Sequence, residues 1–449
     1  MSKQRIQLSD HFTYSRLLRF VLPCIGTMLF TSIYGIVDGL CVSNFVGKTA
    51  FAAVNLIMPL PMLLGTIGFM LGTGGSAIVG ITLGEGDQKK ADRYFTLFLL
   101  AALVSVSVLA VLGIVFLRPI AVLLGAKGEL LDYAVRYGRI LMVSLPTFAL
   151  QNMFQSFFVT AEKPYLGFWF TVGAGCTNMV LDVLMVGIWG WGVEGAAIAT
   201  FISQLVGGVL PVFYFIDRSN SSRLHLCQTK VYGGVLRDAC INGSSELMTN
   251  LSMSLVNILY NYQLLRLAGE NGVAAYGVIM YAAFLFVAVF VGYAVGSAPI
   301  VSFHYGARNH AEVHNLYRKS LRLIAVVAVT LTLASMFIIP CVARVFVGYD
   351  AELLALTSRA FRLYALSFLI MGFNVYASSF FTALGDGVTS ALISFLRTLA
   401  FQVIAILLLP LLLGIDGIWL AVTAAELAAL AVSATMLLTK DKVFHYRKA

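Results

Sequence analysis

Long apolar segments follow one another along almost the whole chain, separated by short polar loops. Twelve of them contain about 20 or more predominantly apolar residues, the length that a helix needs to cross a bilayer. They lie near residues 17–43, 51–83, 94–117, 133–158, 165–189, 193–216, 236–266, 273–303, 319–341, 353–382, 388–413 and 416–438. The pattern predicts an all-α polytopic membrane protein with twelve transmembrane helices.

The second half of the chain repeats the first at an offset of about 220 residues. Three short matches recur in the same order, namely Gly75-Ser-Ala77 as Gly296-Ser-Ala298, Ser156-Phe-Phe158 as Ser379-Phe-Phe381, and Gly192-Val-Glu-Gly195 as Gly414-Ile-Asp-Gly417. Each half holds six spans, an even number, so the copies share one topology and are related by an axis along the membrane normal. We expect an N-lobe over 1–217, a cytoplasmic linker over 218–235 and a C-lobe over 236–449 with a basic tail, enclosing a central cavity.

Composition and charge agree with a membrane protein. The chain is 59% hydrophobic and 11% charged, whereas soluble domains carry roughly 25% charged residues. The net charge of +9 follows from the loops, because 20 Lys and Arg fall in both tails and the loops after even-numbered spans, against nine in the other loops. This bias predicts that both termini are cytoplasmic, and it makes a nucleic-acid partner unnecessary. Short loops favour the inner membrane of a prokaryotic cell.

Five polar residues of the first half fall within the predicted spans and form the candidate ion site: Asp38, Tyr137, Asn178, Asp182 and Thr200. A carboxylate in hydrocarbon is costly and marks a site for an ion or a charged substrate. Asn178 and Asp182 share one helix face because they are four residues apart. These oxygen donors suit Na⁺, or the two carboxylates can exchange a proton; alternatively, Asn178 and Asp182 simply hydrogen-bond to each other within the bundle.

The second half lacks this polar set. The positions that correspond to Asn178, Asp182 and Thr200 hold Ala400, Ile404 and Val422. This difference predicts a metal or proton site in the N-terminal half alone.

Six further residues are candidates for a bend or for the cavity wall: Pro23, Glu246, Asn257, Asn261, Asn374 and Arg397. Pro23 removes a helical hydrogen bond and is expected to kink the first span, either as a hinge or statically. Arg397 within a span must face protein or water, where it forms an ion pair or meets an anionic group of the cargo. Glu246 either attracts cationic cargo at the cavity mouth or is solvated at the surface. The three amides line the cavity or form interhelical hydrogen bonds.

Taken together, these features resemble the multidrug and toxic compound extrusion (MATE) family over essentially the whole chain. The resemblance rests on Pro23, Asp38, Tyr137, Asn178-x3-Asp182 and Gly192-Val-Glu-Gly-Ala-Ala-Ile-Ala-Thr200. It implies a V-shaped pair of lobes, an N-lobe cation site at Asp38, Asn178, Asp182 and Thr200 with Tyr137 beside it, and a first span that bends at Pro23. Members of one subgroup carry further acidic residues in the C-lobe cavity, and the only candidates for that position here are Glu246 and Glu426. The resemblance therefore does not extend to a C-lobe ion site.

The predicted function is secondary active export of organic cations or other lipophilic small molecules in exchange for Na⁺ or H⁺ by alternating access, without a cofactor. Cargo and membrane lipid are the expected partners, and a monomer is sufficient. A flippase for a lipid-linked precursor is the alternative transport function, but it would require several cationic residues in the cavity. A membrane-embedded enzyme would require a metal-type cluster or a nucleophile with its base, and the sequence shows neither.

Overall fold

The structure is a computed structural model that describes residues 6–46, 48–348 and 350–447. Helices account for nearly all of this part of the chain. In order they are α1 Tyr14–Phe45, α2 Lys48–Ile57, α3 Pro59–Gly84, α4 Gln88–Leu123, α5 Glu129–Thr160, α6 Pro164–Asp182, α7 Gly192–Gln204, α8 Leu210–Ile216, α9 Gly233–Asn242, α10 Ser244–Gly306, α11 His310–Val347, α12 Ala351–Ala365, α13 Phe368–Ala383, α14 Gly387–Phe395, α15 Phe401–Leu413, α16 Ile415–Thr439 and α17 Asp441–Phe444. Three segments are π-helical. Val183–Ile188 extends α6, Leu205–Val209 joins α7 to α8, and Leu396–Ala400 joins α14 to α15.

The helices group into the twelve predicted spans. Nine described helices, counting each run joined by a π-turn once, are long and apolar enough to cross a membrane. The pair α12 and α13 forms a tenth span with a bend of 46°, and the 63-residue α10 contains two spans. The 32-residue α5 supplies the remaining one, although Glu129 and Asp132 in its first turn make it less apolar.

The long α10 is a helical hairpin. Gly269 has φ +61° and ψ −150°, outside the helical region, and glycine adopts this conformation without steric cost. The rings of Tyr260 and Tyr276, on either side of it, stack with centroids 5.0 Å apart. The chain therefore reverses at Gly269, so that the part of α10 before it forms span 7 and the part after it forms span 8.

The two halves meet most closely at the end of the molecule that holds Leu8, Phe12 and Tyr446, here called the closed end. A Cβ on Gly84 of α3 would lie 2.0 Å from the carbonyl oxygen of Phe303, and a Cβ on Gly306 would lie 2.0 Å from that of Ile81. Such distances leave no room for a side chain, so the backbones of α3 and α10 touch directly. Gly243, at the start of α10, approaches the carbonyl of Met70 in the same way.

The hydrophobic cores show that the lobes separate toward the opposite end, here called the open end. One core cluster at the closed end combines residues of both halves, such as Leu83 and Phe303. The other clusters of described residues each belong to one half: one lies in the second half around Trp419 and Phe361, and two lie in the first. The protein is therefore a V-shaped pair of six-helix lobes, as predicted.

At the open end, both lobes use the same ion pair. Arg136 at the start of α5 lies 3.7 Å from Glu194 at the start of α7. In the second half, Arg359 of α12 pairs with Asp416 of α16. These residues correspond to each other in the sequence repeat, so each pair connects the fourth and sixth spans of its own lobe.

Segment Ile6–Thr13 packs across the closed end and contacts both halves. The backbone N–H of Leu8 donates to Glu162 (2.9 Å), and that of Phe12 donates to Glu312 (2.9 Å). Leu8 and Phe12 are fully buried in the shared core. Segment Ile6–Thr13 thus holds the end of α5 near the start of α11.

We predict that Gly306→Ala lowers the melting temperature of the purified protein by several degrees. The new methyl group overlaps the carbonyl of Ile81, and overpacking of this kind costs about 1–3 kcal/mol. Gly277→Ala is the matched control, because no atom lies within 4 Å of the point that a Cβ on this α10 glycine would occupy, and alanine favours helices. Equal melting temperatures for the two variants in detergent would contradict a direct backbone contact.

Candidate functional site

Four spans of the first lobe bring the predicted ion-site residues to one region. Asp38 comes from α1 and Tyr137 from α5, while α6 supplies Asn178 and Asp182 and α7 supplies Thr200. Asp182 is the last residue of α6, and the π-helical turn Val183–Ile188 follows it directly. Such π-turns often occur at functional sites.

The carboxylates of this region lack hydrogen-bond donors. Asp182 is 0% exposed, and neither of its carboxylate oxygens has a hydrogen-bond partner among the described residues. The same holds for Oδ1 of Asp38 and Nδ2 of Asn178, so the hydrogen bond between Asn178 and Asp182 that the sequence left open is not formed. The carboxyl groups of Asp38 and Asp182 are close enough to interact electrostatically. An unpaired buried carboxylate is unfavourable, so the pair requires a cation or a proton.

Tyr137 and Thr200 lie at the edge of this pair. Tyr137 is 1% exposed and interacts electrostatically with both carboxylates, but its hydroxyl points to Sδ of Met58 at 3.9 Å. The Thr200 hydroxyl donates to the carbonyl of Ala196 at 3.0 Å and lines a separate cavity of about 50 Å³ with Gln204. The structure thus places the five residues on adjacent helices, and the two carboxylates form the centre.

Pro23 lies inside α1, which continues through it as a helix. Its ring nitrogen cannot donate to the carbonyl of Arg19 four residues earlier. The hydroxyl of Tyr165, at the start of α6, donates to this carbonyl at 3.5 Å. The helix that carries Asp38 therefore has one weakened turn, which a side chain of the neighbouring span compensates.

A second candidate region is a cavity of about 670 Å³ between the lobes, a volume typical of small-molecule sites. Most of its wall belongs to the second lobe, and Pro59, Met62, Leu63, Thr73, Ser76 and Ser156 come from the first. The wall combines apolar and aromatic side chains with a few polar ones. Arg397 is the only Lys or Arg among the described lining residues.

Arg397 is held by a chain of buried polar side chains. Its Nε donates to Oε1 of Glu426 at 2.8 Å, and Glu426 is 0% exposed. The amide of Asn374 donates to Oε2 of Glu426 at 2.7 Å and accepts a hydrogen bond from Ser433 at 2.9 Å. The ion pair that the sequence suggested for Arg397 is therefore formed, with its acidic partner on α16.

The structure divides the predicted cavity residues into two groups. Glu246, Asn257 and Arg397 line the cavity. Asn261 does not, because it lies one turn further along α10 and donates back to the carbonyl of Asn257 at 3.0 Å. Asn374 is fully buried behind the wall, where it binds Glu426. Asn374 thus forms the interhelical hydrogen bond given as the alternative, whereas the hydrogen bond of Asn261 lies within its own helix.

Two acidic residues of the closed end, Glu162 and Glu312, were not predicted from the sequence. Glu162 accepts hydrogen bonds from Leu8 and from Arg223 (2.6 Å), and Glu312 accepts them from Phe12 and Asn315 (2.8 Å). Both are nearly buried. Neither acid belongs to a recognisable motif, and each binds a backbone N–H, a partner that leaves no signal in a sequence.

Nothing in the described residues indicates a resident metal. No group of three or more His, Cys, Asp or Glu side chains comes together in this part of the chain. The donors around Asp38 and Asp182 are oxygens, which can hold Na⁺ or a proton.

Comparisons with known proteins agree with this architecture. The MatE family matches residues 23–184 and 247–408, one match in each half. The multidrug export protein MepA of Staphylococcus saprophyticus is 21% identical over 436 residues, 96% of this chain and 95% of MepA. A crystal structure of MATE in complex with MaL6 has a TM-score of 0.92 at 22% identity, and an outward-facing MATE family transporter of the MOP superfamily has 0.91 at 22%; each match covers 100% of both chains.

Two six-helix lobes around a central cavity, with carboxylates buried inside one lobe, define a multi-pass membrane transporter. The chain belongs to the MatE family, which matches well over half of its residues in two copies. The predicted family and twelve-helix fold are confirmed. Because the family and its structural neighbours are transporters, the prediction that the protein is not an enzyme is also confirmed.

We predict that Glu426→Ala strongly lowers the stability of the protein, by about 3–5 kcal/mol, because it leaves the charge of Arg397 unpaired inside the bundle. Asp416→Ala is the matched control. It removes the partner of Arg359, which is 69% exposed, and an exposed pair contributes at most about 1 kcal/mol.

Thermal unfolding in detergent measures both effects. The double variant Arg397→Met/Glu426→Leu should recover most of the loss, because no unpaired charge remains. Similar melting temperatures for Glu426→Ala and Asp416→Ala would show that the pair is solvated and not buried.

Proposed function

We propose that this protein is a secondary active exporter that moves organic cations or other lipophilic small molecules out of the cell in exchange for Na⁺ or H⁺. The observation that carries the proposal is the fully buried Asp182, whose two oxygens have no partner among the described residues and whose carboxylate interacts with that of Asp38. A membrane transporter with such a pair can bind one cation and release it when the surroundings of the pair change.

The chemistry of the site accommodates either ion. A proton shared between Asp38 and Asp182 removes the repulsion of two like charges. A Na⁺ ion would take oxygen ligands from both carboxylates, from the amide of Asn178 and from the hydroxyl of Thr200. The Thr200 oxygen retains lone pairs while it donates to Ala196, so its present hydrogen bond is compatible with a ligand role.

Helix α1 connects the ion site to the closed end and to the cavity wall. Beyond Pro23, the backbone of α1 at Ile25 lies only 2.5 Å from a Cβ built on Gly292 of α10, so these helices are in direct contact. Span 8 also supplies cavity residues such as Ala294 and Ala298. Binding of a cation to Asp38 would pull on α1 at the turn weakened by Pro23, and the contact with α10 would pass this movement to the cavity wall.

The proposal also includes the orientation of the protein in the membrane. The described residues near both termini lie at the closed end, and the loop charges favour a cytoplasmic position for the termini. The described conformation would then be outward-open, with the cytoplasmic side sealed by α3, α10 and the segment Ile6–Thr13. We place the lobes at 1–217 and 236–449 with a linker over 218–235, in the inner membrane and surrounded by lipid. One chain forms the complete cavity, so a monomer is sufficient.

The cavity wall supports a cationic cargo. Glu246 places a carboxylate in the cavity wall. Aromatic side chains such as Tyr260, Tyr276 and Phe284 supply surfaces for flat apolar molecules and for cations. The relatives named multidrug export proteins support a small-molecule cargo.

We predict that Asp38→Asn and Asp182→Asn abolish gradient-driven transport and leave cargo binding intact. Proteoliposomes loaded with rhodamine 123, a fluorescent lipophilic cation, are given a Na⁺ gradient or a pH gradient separately. One of the two gradients should drive efflux by the wild type, and each variant should lose at least about tenfold of that rate, because an amide binds neither a proton nor Na⁺ as a carboxylate does.

Asp217→Asn is the control, because this carboxylate lies after α8, outside the spans, and bonds only to Ser219 among the described residues. It should transport at the wild-type rate. Normal coupling in both Asp38→Asn and Asp182→Asn would exclude this site and direct attention to Glu246. Failure of the wild type to move the dye under either gradient would contradict cation export itself.

A further inference from the structure

The guanidinium of Arg397 is oriented so that part of it remains available to the cavity. Only Nε donates to Glu426. Nη1 and Nη2 have no partner among the described residues, yet neither belongs to the buried unpaired atoms, so both reach the open space of the cavity that Arg397 lines. The two Nη groups form the fork with which arginine binds a carboxylate.

A purely structural ion pair would use this fork differently. The favoured geometry between arginine and a carboxylate is two parallel hydrogen bonds, and here the second carboxylate oxygen of Glu426 is occupied by Asn374 at 2.7 Å. Ser433 in turn fixes Asn374 at 2.9 Å. Three buried residues therefore hold the guanidinium in one orientation and leave its fork unpaired.

The π-helical turn Leu396–Ala400 contains Arg397 and sets its direction. In a regular α-helix, the 3.6-residue period would fix the direction of the Arg397 side chain. The extra residue of a π-turn rotates that direction around the helix axis. The wall beside the fork is polar, with Asn257, Thr398 and Gln402 among the lining residues.

The cavity thus presents two opposite charges to its contents. Glu246 lines the same cavity and lies close enough to Arg397 for their charges to interact. A simple cation would use Glu246 and leave the fork of Arg397, whose charge Glu426 balances, without a partner. A molecule that carries both a cationic aromatic system and a carboxylate would satisfy both residues.

We propose that the fork of Arg397 is an anion subsite of the cargo cavity, and that the protein prefers amphiphilic zwitterions that carry a carboxylate beside a cationic aromatic group. The proposal rests on the proposed function in that it refines the cargo class. It does not depend on which ion drives transport, because the subsite acts in binding.

A matched pair of dyes tests the subsite. Rhodamine 110 carries a free carboxylate, and rhodamine 123 is its methyl ester, so the two differ in the anionic group alone. Fluorescence anisotropy gives the affinity of each dye for the full-length protein in phosphatidylcholine nanodiscs, at equilibrium and without any gradient. Arg397→Gln should weaken rhodamine 110 about tenfold, the size of a lost charge-assisted hydrogen bond, and change rhodamine 123 by less than about twofold.

Three variants make the result specific. Arg397→Lys keeps the charge but not the fork and should weaken rhodamine 110 by an intermediate factor. Arg362→Gln, an exposed arginine of α12 outside the cavity, should change neither dye. Where Arg397→Gln fails to fold because Glu426 is left unpaired, Arg397→Gln/Glu426→Gln removes both charges and should show the same selective loss.

If Arg397→Gln changes the affinity of both dyes equally, or of neither, the subsite is overturned. The proposed function would still stand if the wild type exports rhodamine 123. Wild-type protein that binds neither dye would overturn both. Nanodiscs with added phosphatidylglycerol provide the last arm: competition by this lipid that depends on Arg397 would assign the fork to a lipid phosphate and overturn the assignment to cargo.

Discussion

The direct backbone contact between α3 and α10 at the closed end is the constraint on which the rest of the structure depends. Gly84 and Gly306 face each other so closely that any side chain would overlap a carbonyl oxygen. Inside a membrane, lipid competes with side chains for apolar contacts, so close packing at small residues becomes the main attraction between helices. Because such contacts between the halves lie toward the closed end, they join the two lobes there and leave the other ends apart.

The two lobes use their buried charges in different ways. In the first lobe, Asp38 and Asp182 lie together without a cation or a donor among the described residues. In the second, the buried acid Glu426 is neutralised by Arg397 and satisfied by Asn374. An unpaired site has a strong tendency to take up an external ion, whereas a paired and hydrogen-bonded one is stable without it. This contrast favours ion coupling in the first lobe and a fixed cargo wall in the second.

Much of the fold could be predicted from the sequence, because hydrocarbon imposes a simple length rule on each span. The amino-acid sequence alone shows the twelve apolar segments and the internal repeat, including the two equivalent glycine turns Gly192–Gly195 and Gly414–Gly417. Details that depend on packing are not. The 46° bend between α12 and α13 occurs without proline at Leu366 and Ser367, and the binding of Ile6–Thr13 to Glu162 and Glu312 relies largely on backbone N–H groups that nearly every residue has.

The candidate sites show the same division. A carboxylate within an apolar run identifies Asp38 and Asp182 because the cost of burial is general. Asparagine carries no such information, since an amide is equally suited to a cavity surface and to an interhelical bond. Asn257 and Asn374 illustrate this, because one lines the cavity and the other is fully buried. Only the direction of each side chain separates these roles, and that direction follows from helix rotation and π-turns that no residue pattern in this chain specifies.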